Sequence, residues 1–213
     1  MMSTLSVPAS VRPGRRTEPE WVVVVVVIVA LVAGWLLKSV VEGSTVEYSG
    51  PDLRLSYPAA WLREVSPDAE SIFSASDMRS GSLYRSNIAI HAAAALPELP
   101  AGVQSPDIDH LTPAITAWSL QRGLELTAFR VLGSGPAEIG ERQGVLLHYA
   151  YVSEPAQSPF RKALPVVVEA IDYLVPAGAK TIVLTVASDG ERFEDVNTRW
   201  FQPILRSVRF AGE

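Results

Sequence analysis

An uninterrupted apolar run near the N-terminus constrains this chain of 213 residues more than any other feature. No charged residue occurs between Trp21 and Leu37, and six consecutive valines, Val22 to Val27, follow Trp21. The run rises about 26 Å as a helix, and about 31 Å if it extends through Val41, against a hydrocarbon core of about 30 Å. The sequence therefore predicts one transmembrane helix over 21–41, because lipid forces the backbone of even a valine-rich segment to bond internally.

Two other interpretations of this run remain. A core helix or strand of a soluble protein would rarely be apolar over such a length. A cleaved signal peptide is the more serious alternative, because Val41-Glu42-Gly43 resembles a cleavage site. The run exceeds the roughly 7 to 15 apolar residues of a signal peptide, so we expect an anchor that is retained.

The charges that flank the run predict its direction. Arg12, Arg15 and Arg16 precede it, whereas Lys38 and Arg54 follow it. Basic residues favour the cytoplasmic side, so residues 1–20 are expected to form a flexible cytoplasmic tail. A tether over 42–45 would then lead to an extracytoplasmic domain over 46–213.

The composition of this domain excludes several classes of function. Removal of the four basic and three acidic residues before Thr45 leaves 14 Lys and Arg against 20 Asp and Glu, a net charge of −6. Such a surface repels nucleic acid. The chain has no cysteine, which excludes disulfides, thiol catalysis and cysteine metal sites, and it fits a bacterial envelope protein.

The hydrophobic pattern predicts a mainly antiparallel sheet. Leu53, Leu55 and Tyr57 alternate with polar residues before Pro58, and 145–152 alternates in the same way. The segments 165–175 and 181–187 are rich in β-branched residues and are separated by a short turn, as in an antiparallel hairpin. Because no helix separates these strands, we expect an α+β fold with an antiparallel β-sheet flanked by helices.

Two helices are predicted to interrupt the strands. Thr112 as N-cap, with Pro113 at the first helical position, begins one helix, and Gly123 marks its end. The spacing from Ser188 to Glu191 is that of a capping box that opens the second helix. Pro203 would clash with a preceding carbonyl, so this helix is expected to kink or restart there.

Short motifs at the two ends of the domain resemble the PsbP-like superfamily. The first strand runs into Tyr57-Pro58-x-x-Trp61, and the last helix runs through Trp200 into Ser207-Val208-Arg209-Phe210. The resemblance implies an antiparallel sheet flanked by helices over most of 46–210. Members of that superfamily include an extrinsic subunit of the photosynthetic water-oxidising complex and a nuclear-import factor that binds a small GTPase. The resemblance therefore implies a binding or assembly module, and neither motif carries a catalytic residue.

The best metal candidate is an acidic segment with a histidine. Asp107, Asp109 and His110 lie within four positions, next to a proline-rich stretch. They provide too few ligands for a closed site, and acids before a helix also interact favourably with its dipole. We therefore interpret the segment as a solvated loop and expect no cofactor.

The best acid–base candidate is a histidine and a glutamate on neighbouring strands. Antiparallel pairing across the connection over 153–164 places His148 opposite Glu169. Such a pair serves proton transfer in some enzymes and is an ordinary cross-strand contact in most sheets. Gly133-Ser134-Gly135 lacks the spacing of a nucleophile elbow and is interpreted as a turn.

These observations favour a noncatalytic, membrane-tethered binding or assembly module of the envelope, a class that includes accessory subunits of membrane protein complexes. Its expected partners are the lipid bilayer, through residues 21–41, and an envelope or membrane protein. The alternative is an envelope hydrolase or metal-dependent enzyme that uses His148 with Glu169, or His110 with Asp107 and Asp109.

Overall fold

The structure, a computed structural model, describes residues 20–65, 70–94, 108–154 and 164–211, and at 20, 40–42 and 108–112 it describes the backbone alone. The predicted cytoplasmic tail lies outside the described residues, apart from its last position. The chain divides into two units, Met1–Gly43 and Ser44–Glu213.

The first unit contains helix α1, Glu20–Glu42. Within it, the 19 residues Trp21–Ser39 are long and apolar enough to cross a membrane, and none of them is buried. This helix is a candidate transmembrane span, in agreement with the hydrophobic run that predicted it.

The second unit is built from antiparallel strands and short helices. Seven strands form one sheet in the order β3-β4-β5-β9-β8-β7-β6, and three form a smaller sheet in the order β1-β2-β10. The strands are β1 Thr45–Ser49, β2 Leu53–Pro58, β3 Trp61–Arg63, β4 Ser71–Asp77, β5 Asn87–Ala94, β6 Arg130–Ile139, β7 Arg142–Ser153, β8 Val166–Ala177, β9 Lys180–Asp189 and β10 Arg209–Phe210. The predicted α+β fold with an antiparallel sheet is confirmed.

Two tight turns set the register of the long sheet. The β6–β7 hairpin pairs Ile139 with Arg142 around Gly140, and the β8–β9 hairpin pairs Ala177 with Lys180 around Gly178. Both glycines have positive φ, at 62° and 65°. Two-residue hairpin loops need positive φ at the first central position, which glycine adopts without strain. The hairpin predicted from the turn after Val175 is therefore present.

One face of the long sheet is packed by apolar side chains. It contacts the small sheet and the C-terminal helices through residues such as Leu55, Phe201 and Phe210, all nearly inaccessible to solvent. Ile88, Leu184 and Val186 supply the facing side of the same cluster. We call this side of the long sheet the apolar face.

The other face is covered by helix α2, Ile108–Glu125. Trp118 of α2 packs against Val145, Leu147 and Tyr149 of β7. The alternation in 145–152 predicted that these three strand residues share one face. This side is called the α2 face below.

The start and end predicted for α2 are wrong. Thr112 is not the N-cap, because the helix begins at Ile108 and contains Pro113 as an internal residue. The proline removes the hydrogen bond to the carbonyl of Asp109, a loss that is tolerated one turn from the helix start. Gly123 does not end the helix, which continues to Glu125 and closes with a bond from the amide of Leu126 to the carbonyl of Arg122.

The C-terminal helix is a chain of short segments. Helix α3, Phe193–Val196, continues into a π-helical turn, Asn197–Phe201, and then into helix α4, Gln202–Ser207. The amide of Gln202 donates to the carbonyl of Asn197, five residues earlier, and Pro203 occupies the first turn of α4. The restart predicted at Pro203 is confirmed, because proline fits the first turn of a new helix.

The capping box predicted at Ser188 is wrong. Ser188 is a buried strand residue whose hydroxyl bonds that of Ser86 at 2.8 Å. Strand pairing with β8 takes precedence over the local capping pattern. The N-cap position of α3 is Arg192, which makes no side-chain capping bond.

The edges of the long sheet are short or interrupted. At one edge β3 has three residues. At the other, β6 has a bulge between Val131 and Gly133 and contains Pro136, which has no amide hydrogen. The prediction of a turn at Gly133-Ser134-Gly135 is wrong, since these residues lie inside β6.

Candidate functional site

The metal candidates lie largely beyond what the structure describes. Asp107 is outside the described residues, and of Asp109 and His110 only the helical backbone is known. Among the described residues no group of three His, Asp or Glu side chains is arranged to hold a metal ion. The interpretation of this segment as a loop is wrong from Ile108 onward, because α2 begins there and includes Asp109 and His110. The metal site remains the untested alternative to the expectation of no cofactor.

His148 and Glu169 are in contact on the apolar face. The Nε2 atom of His148 lies 2.7 Å from Oε1 of Glu169, and the imidazole stacks on Phe193 with ring centroids 5.6 Å apart. They are diagonal neighbours and not opposite each other as predicted, because His148 pairs with Ile171 and Glu169 with Ala150. Both side chains are partly exposed. The geometry is that of a cross-strand pair on a sheet surface.

A buried carboxylate that the sequence analysis did not single out organises the α2 face. Asp172 in β8 is 0% exposed. Its Oδ2 accepts from Nε1 of Trp118 and Nε of Arg122, both at 2.7 Å. Its Oδ1 accepts from the hydroxyls of Thr185, at 2.7 Å, and Tyr149, at 3.1 Å. Four donors fill the acceptor capacity of a carboxylate, so this group holds structure and has no lone pair left for a ligand.

The charges in this cluster stabilise one another. Burial works against the positive charge of Arg122, but the charge and hydrogen bond of Asp172, together with Tyr149 and Glu125, outweigh it and raise the pKa of Arg122 above its ordinary value. Burial, together with the same carboxylate, raises the pKa of Tyr149, which therefore stays a neutral donor. Arg122 and Trp118 both belong to α2, so the buried charge pair fastens this helix to the sheet.

His91 borders this cluster. Its ring stacks on Trp118 with centroids 6.2 Å apart and an interplanar angle of 27°. Burial, with a further contribution from Arg122, lowers the pKa of His91. The imidazole is thus kept neutral beside a buried cation.

A polar cleft opens at one end of the α2 face. Its cavity of about 540 Å³ is lined by side chains of the β4–β5 connection and of the neighbouring strand ends, namely Glu64, Ser74, Ser76, Leu83, Tyr84, Arg85, Asn87, Ser153 and Val166. The hydroxyl of Ser76 donates to Oε1 of Glu64 at 2.8 Å, which orients this carboxylate. We call this cavity the polar cleft.

A chain of hydrogen bonds connects the polar cleft to the packing under α2. The Tyr84 hydroxyl lies 2.9 Å from the Tyr151 hydroxyl. It also accepts a hydrogen bond from the side-chain Nδ2 of Asn87 at 3.0 Å. Burial, and then the adjacent Tyr84, raise the pKa of Tyr151. Tyr84 and Tyr151 also pack against the cluster that contains Trp118. Hydrogen bonds therefore hold Glu64 and Tyr84 in the wall of the cleft, and its carboxylate, amide, hydroxyl and guanidinium groups suit a polar ligand or a peptide backbone.

Comparison with known proteins gives a result only at the level of structure. No protein-family model and no curated protein sequence matches this chain. Among solved structures, cyanobacterial PsbP from Synechocystis has a TM-score of 0.52 at 13% identity, over 78% of this chain and 92% of that one.

Two further structures have similar coverage. LpqN, described as involved in cell envelope biogenesis of Mycobacterium tuberculosis, has a TM-score of 0.47 at 12% identity, over 78% of this chain and 89% of its own. The Saccharomyces cerevisiae Ran-binding protein Mog1p has a TM-score of 0.46 at 12% identity, over 78% of this chain and 94% of its own. The likeness to cyanobacterial PsbP shows that the domain of this chain has the PsbP-like fold that the motifs at its two ends predicted.

Proposed function

We propose that this chain is a noncatalytic, membrane-tethered binding module that stands on the extracytoplasmic side of a bacterial membrane and serves as an accessory subunit of an envelope protein complex. The observation that carries the proposal is an exposed apolar helix of membrane-spanning length, followed along the chain by a domain with a polar cleft. A tether of this kind raises the effective concentration of the cleft near membrane partners.

The fold and the charge pattern support this proposal. PsbP-like folds occur in proteins that bind other proteins, of which Mog1p, a Ran-binding protein, is an example by its description. Arg12, Arg15 and Arg16 before the span favour a cytoplasmic N-terminus. Among the described residues, the lining of the polar cleft has one carboxylate and one guanidinium but no imidazole, which suits recognition better than proton transfer.

The test is affinity isolation of the intact chain from membranes in mild detergent, followed by mass spectrometry. Leu83 lines the polar cleft and is 64% exposed, and Leu120 lies on the outer side of α2 and is 67% exposed. We expect a stoichiometric partner with the wild-type chain and with the matched control Leu120→Glu, but not with Leu83→Glu. Recovery of the partner with both variants would remove the polar cleft from the interface, and recovery of no partner would refute the proposal.

Topology is tested separately. Protease added to intact cells should digest the C-terminal domain and spare a tag placed before Arg12, and a carbonate wash should leave the chain in the membrane. The reverse digestion pattern would invert the orientation, and release by carbonate would eliminate the anchor.

A second candidate function rests on the 2.7 Å contact between His148 and Glu169. An envelope hydrolase would use this pair for proton transfer, and a metal-dependent enzyme would use His110 with Asp107 and Asp109. Hydrolysis of ester or amide substrates by the purified chain, abolished in His148→Gln and in Glu169→Gln, would establish the first of these. Turnover that is unchanged in both variants would exclude this pair as its source.

A further inference from the structure

Three arginines lie on the small sheet and at the end of helix α4. Arg54 in β2 and Arg209 in β10 are direct cross-strand partners, and both are exposed. Arg206 lies in the last turn of α4, three residues before Arg209. Like charges directly opposite each other in a sheet destabilise it unless something neutralises them.

These arginines line two adjoining cavities, which together we call the arginine cleft. One, of about 560 Å³, includes Arg54, Arg209 and Glu141 in its wall. The other, of about 480 Å³, includes Arg206, Arg209, Glu141 and Glu138. Arg209 and Glu141 belong to the walls of both cavities, so the two lie side by side, and each has the size that a small polar ligand fills.

The protein itself holds Arg209 in position. Its Nη1 donates to the carbonyl of Arg206 at 3.1 Å and to the carbonyl of Val208 at 2.8 Å. These bonds fix the guanidinium at the end of α4 and leave its Nε and Nη2 atoms as donors for a ligand. A fourth arginine, Arg142, lies with its guanidinium carbon 4.8 Å from the ring centroid of Phe210, another residue of the cleft.

The arginine cleft is a positive region on a domain of net charge −6. Among the described residues, none of Arg54, Arg206 and Arg209 has a carboxylate oxygen within 4.0 Å. Glu138 and Glu141 line the cavities but form no ion pair with these arginines within the described part of the chain. Within the described part of the chain, the three arginines therefore line the two adjoining cavities without a direct ion pair to a carboxylate.

We propose that the arginine cleft binds the phosphate group of a ligand. A tetrahedral phosphate accepts from two or three guanidinium forks at once, whereas one carboxylate is satisfied by a single fork. The two glutamates in the wall disfavour an extended acidic peptide by like-charge repulsion and leave room for a compact anion between the arginines. A free phosphate compound and a phospholipid headgroup offer the same chemistry.

The test is isothermal titration of pyrophosphate into the intact chain in nanodiscs of neutral lipid. We expect binding that weakens as salt increases, and a loss of about tenfold or more in Arg54→Gln and in Arg206→Gln. Arg130→Gln, which removes an exposed arginine at the start of β6, is the matched control and should change affinity less than twofold. Arg54 makes no side-chain hydrogen bond among the described residues, so its substitution should leave the fold intact, and circular dichroism verifies this.

The source of the phosphate is distinguished by repeating the titration in nanodiscs that contain anionic phospholipid. A lower apparent affinity for pyrophosphate there, absent in Arg54→Gln, identifies a headgroup as the competing occupant. Equal affinity in both nanodiscs identifies a soluble phosphate compound. Absence of pyrophosphate binding, equal binding by Arg54→Gln and the wild type, or binding of a polyglutamate peptide in place of pyrophosphate would overturn the proposal.

Discussion

Different kinds of interaction stabilise the two faces of the long sheet. On the apolar face, the small sheet and the C-terminal helices pack through buried side chains such as Phe201, Ile204 and Phe210. On the α2 face, a single helix is fastened by hydrogen bonds and an ion pair that all meet at Asp172. Apolar packing spreads its stabilisation over many contacts, whereas a buried charge depends on each of its partners. The α2 face should therefore be the more fragile of the two.

Asp172→Ala should produce the largest loss. The substitution leaves Arg122, whose side chain is 16% exposed, without its buried counter-charge and with only the exposed Glu125 as a partner, at a cost of about 3 kcal/mol in the free energy of unfolding. Denaturant unfolding of the intact chain in mild detergent measures it. The double substitution Asp172→Leu with Arg122→Met should recover much of the loss, and a cost below about 1 kcal/mol for Asp172→Ala would contradict the importance assigned to this pair.

Thr185→Val should have a smaller effect on the same face. The nearly isosteric change removes the 2.7 Å bond to Oδ1 of Asp172 and an acceptor for Nη2 of Arg122, at a cost of about 2 kcal/mol. Ser119→Ala, which removes an exposed hydroxyl from α2, should cost less than about 0.5 kcal/mol in the same unfolding experiment. Equal effects of the two variants would show that the buried hydrogen bonds of Thr185 add nothing to the free energy of unfolding.

The substitution Ile204→Val tests how much packing on the apolar face contributes to stability. Loss of one buried methylene group should cost about 1 kcal/mol. Because Ile204 and Thr185 lie on opposite faces and belong to different clusters, the double variant with Thr185→Val should show additive losses within about 0.5 kcal/mol. A larger coupling energy, measured by a double-mutant cycle, would mean that the two faces are not independent.

The pH dependence should be the smallest effect and should come from the α2 face. Burial, then Arg122, lower the pKa of His91, while the weaker contributions of Asp172, Glu70 and Glu125 raise it. The contribution of neutral His91 is fully present above its unfolded pKa of about 6.5 and is lost as the pH falls through the lowered folded value. Thermal unfolding between pH 8 and pH 4 should thus show a smaller acid destabilisation in His91→Gln than in the wild type. If the wild type and His91→Gln lose the same stability as the pH falls, His91 does not contribute to the pH dependence.

Local chemistry explains which parts of the fold were predictable. The alternation of Leu53, Leu55 and Tyr57 identified β2, and the ring of Pro203 identified the helix restart. Each of these signals acts within a few residues of the chain. The wrong capping box at Ser188 shows the limit, because pairing with a distant strand determined its conformation.

The buried cluster could not be derived in the same way. The sequence analysis did not single out Asp172, a charged residue within an apolar strand, and its partners Trp118, Arg122 and Tyr149 lie 54, 50 and 23 residues away. A pattern search finds such a residue but not the donors that satisfy it, because they depend on how α2 lies across the sheet. The contact of His148 with Glu169 was accessible because both residues belong to consecutive strands of a hairpin whose register could be estimated by counting.

The interrupted outer edge of β6 has a consequence for aggregation. Chains held at high local density meet one another repeatedly, and a long open strand would recruit its own copies into fibrils. A bulge at one end of the strand and a proline near the other deny an incoming strand a continuous ladder of bonds. The same edge is therefore a poor site for a visiting peptide to pair as an extra strand.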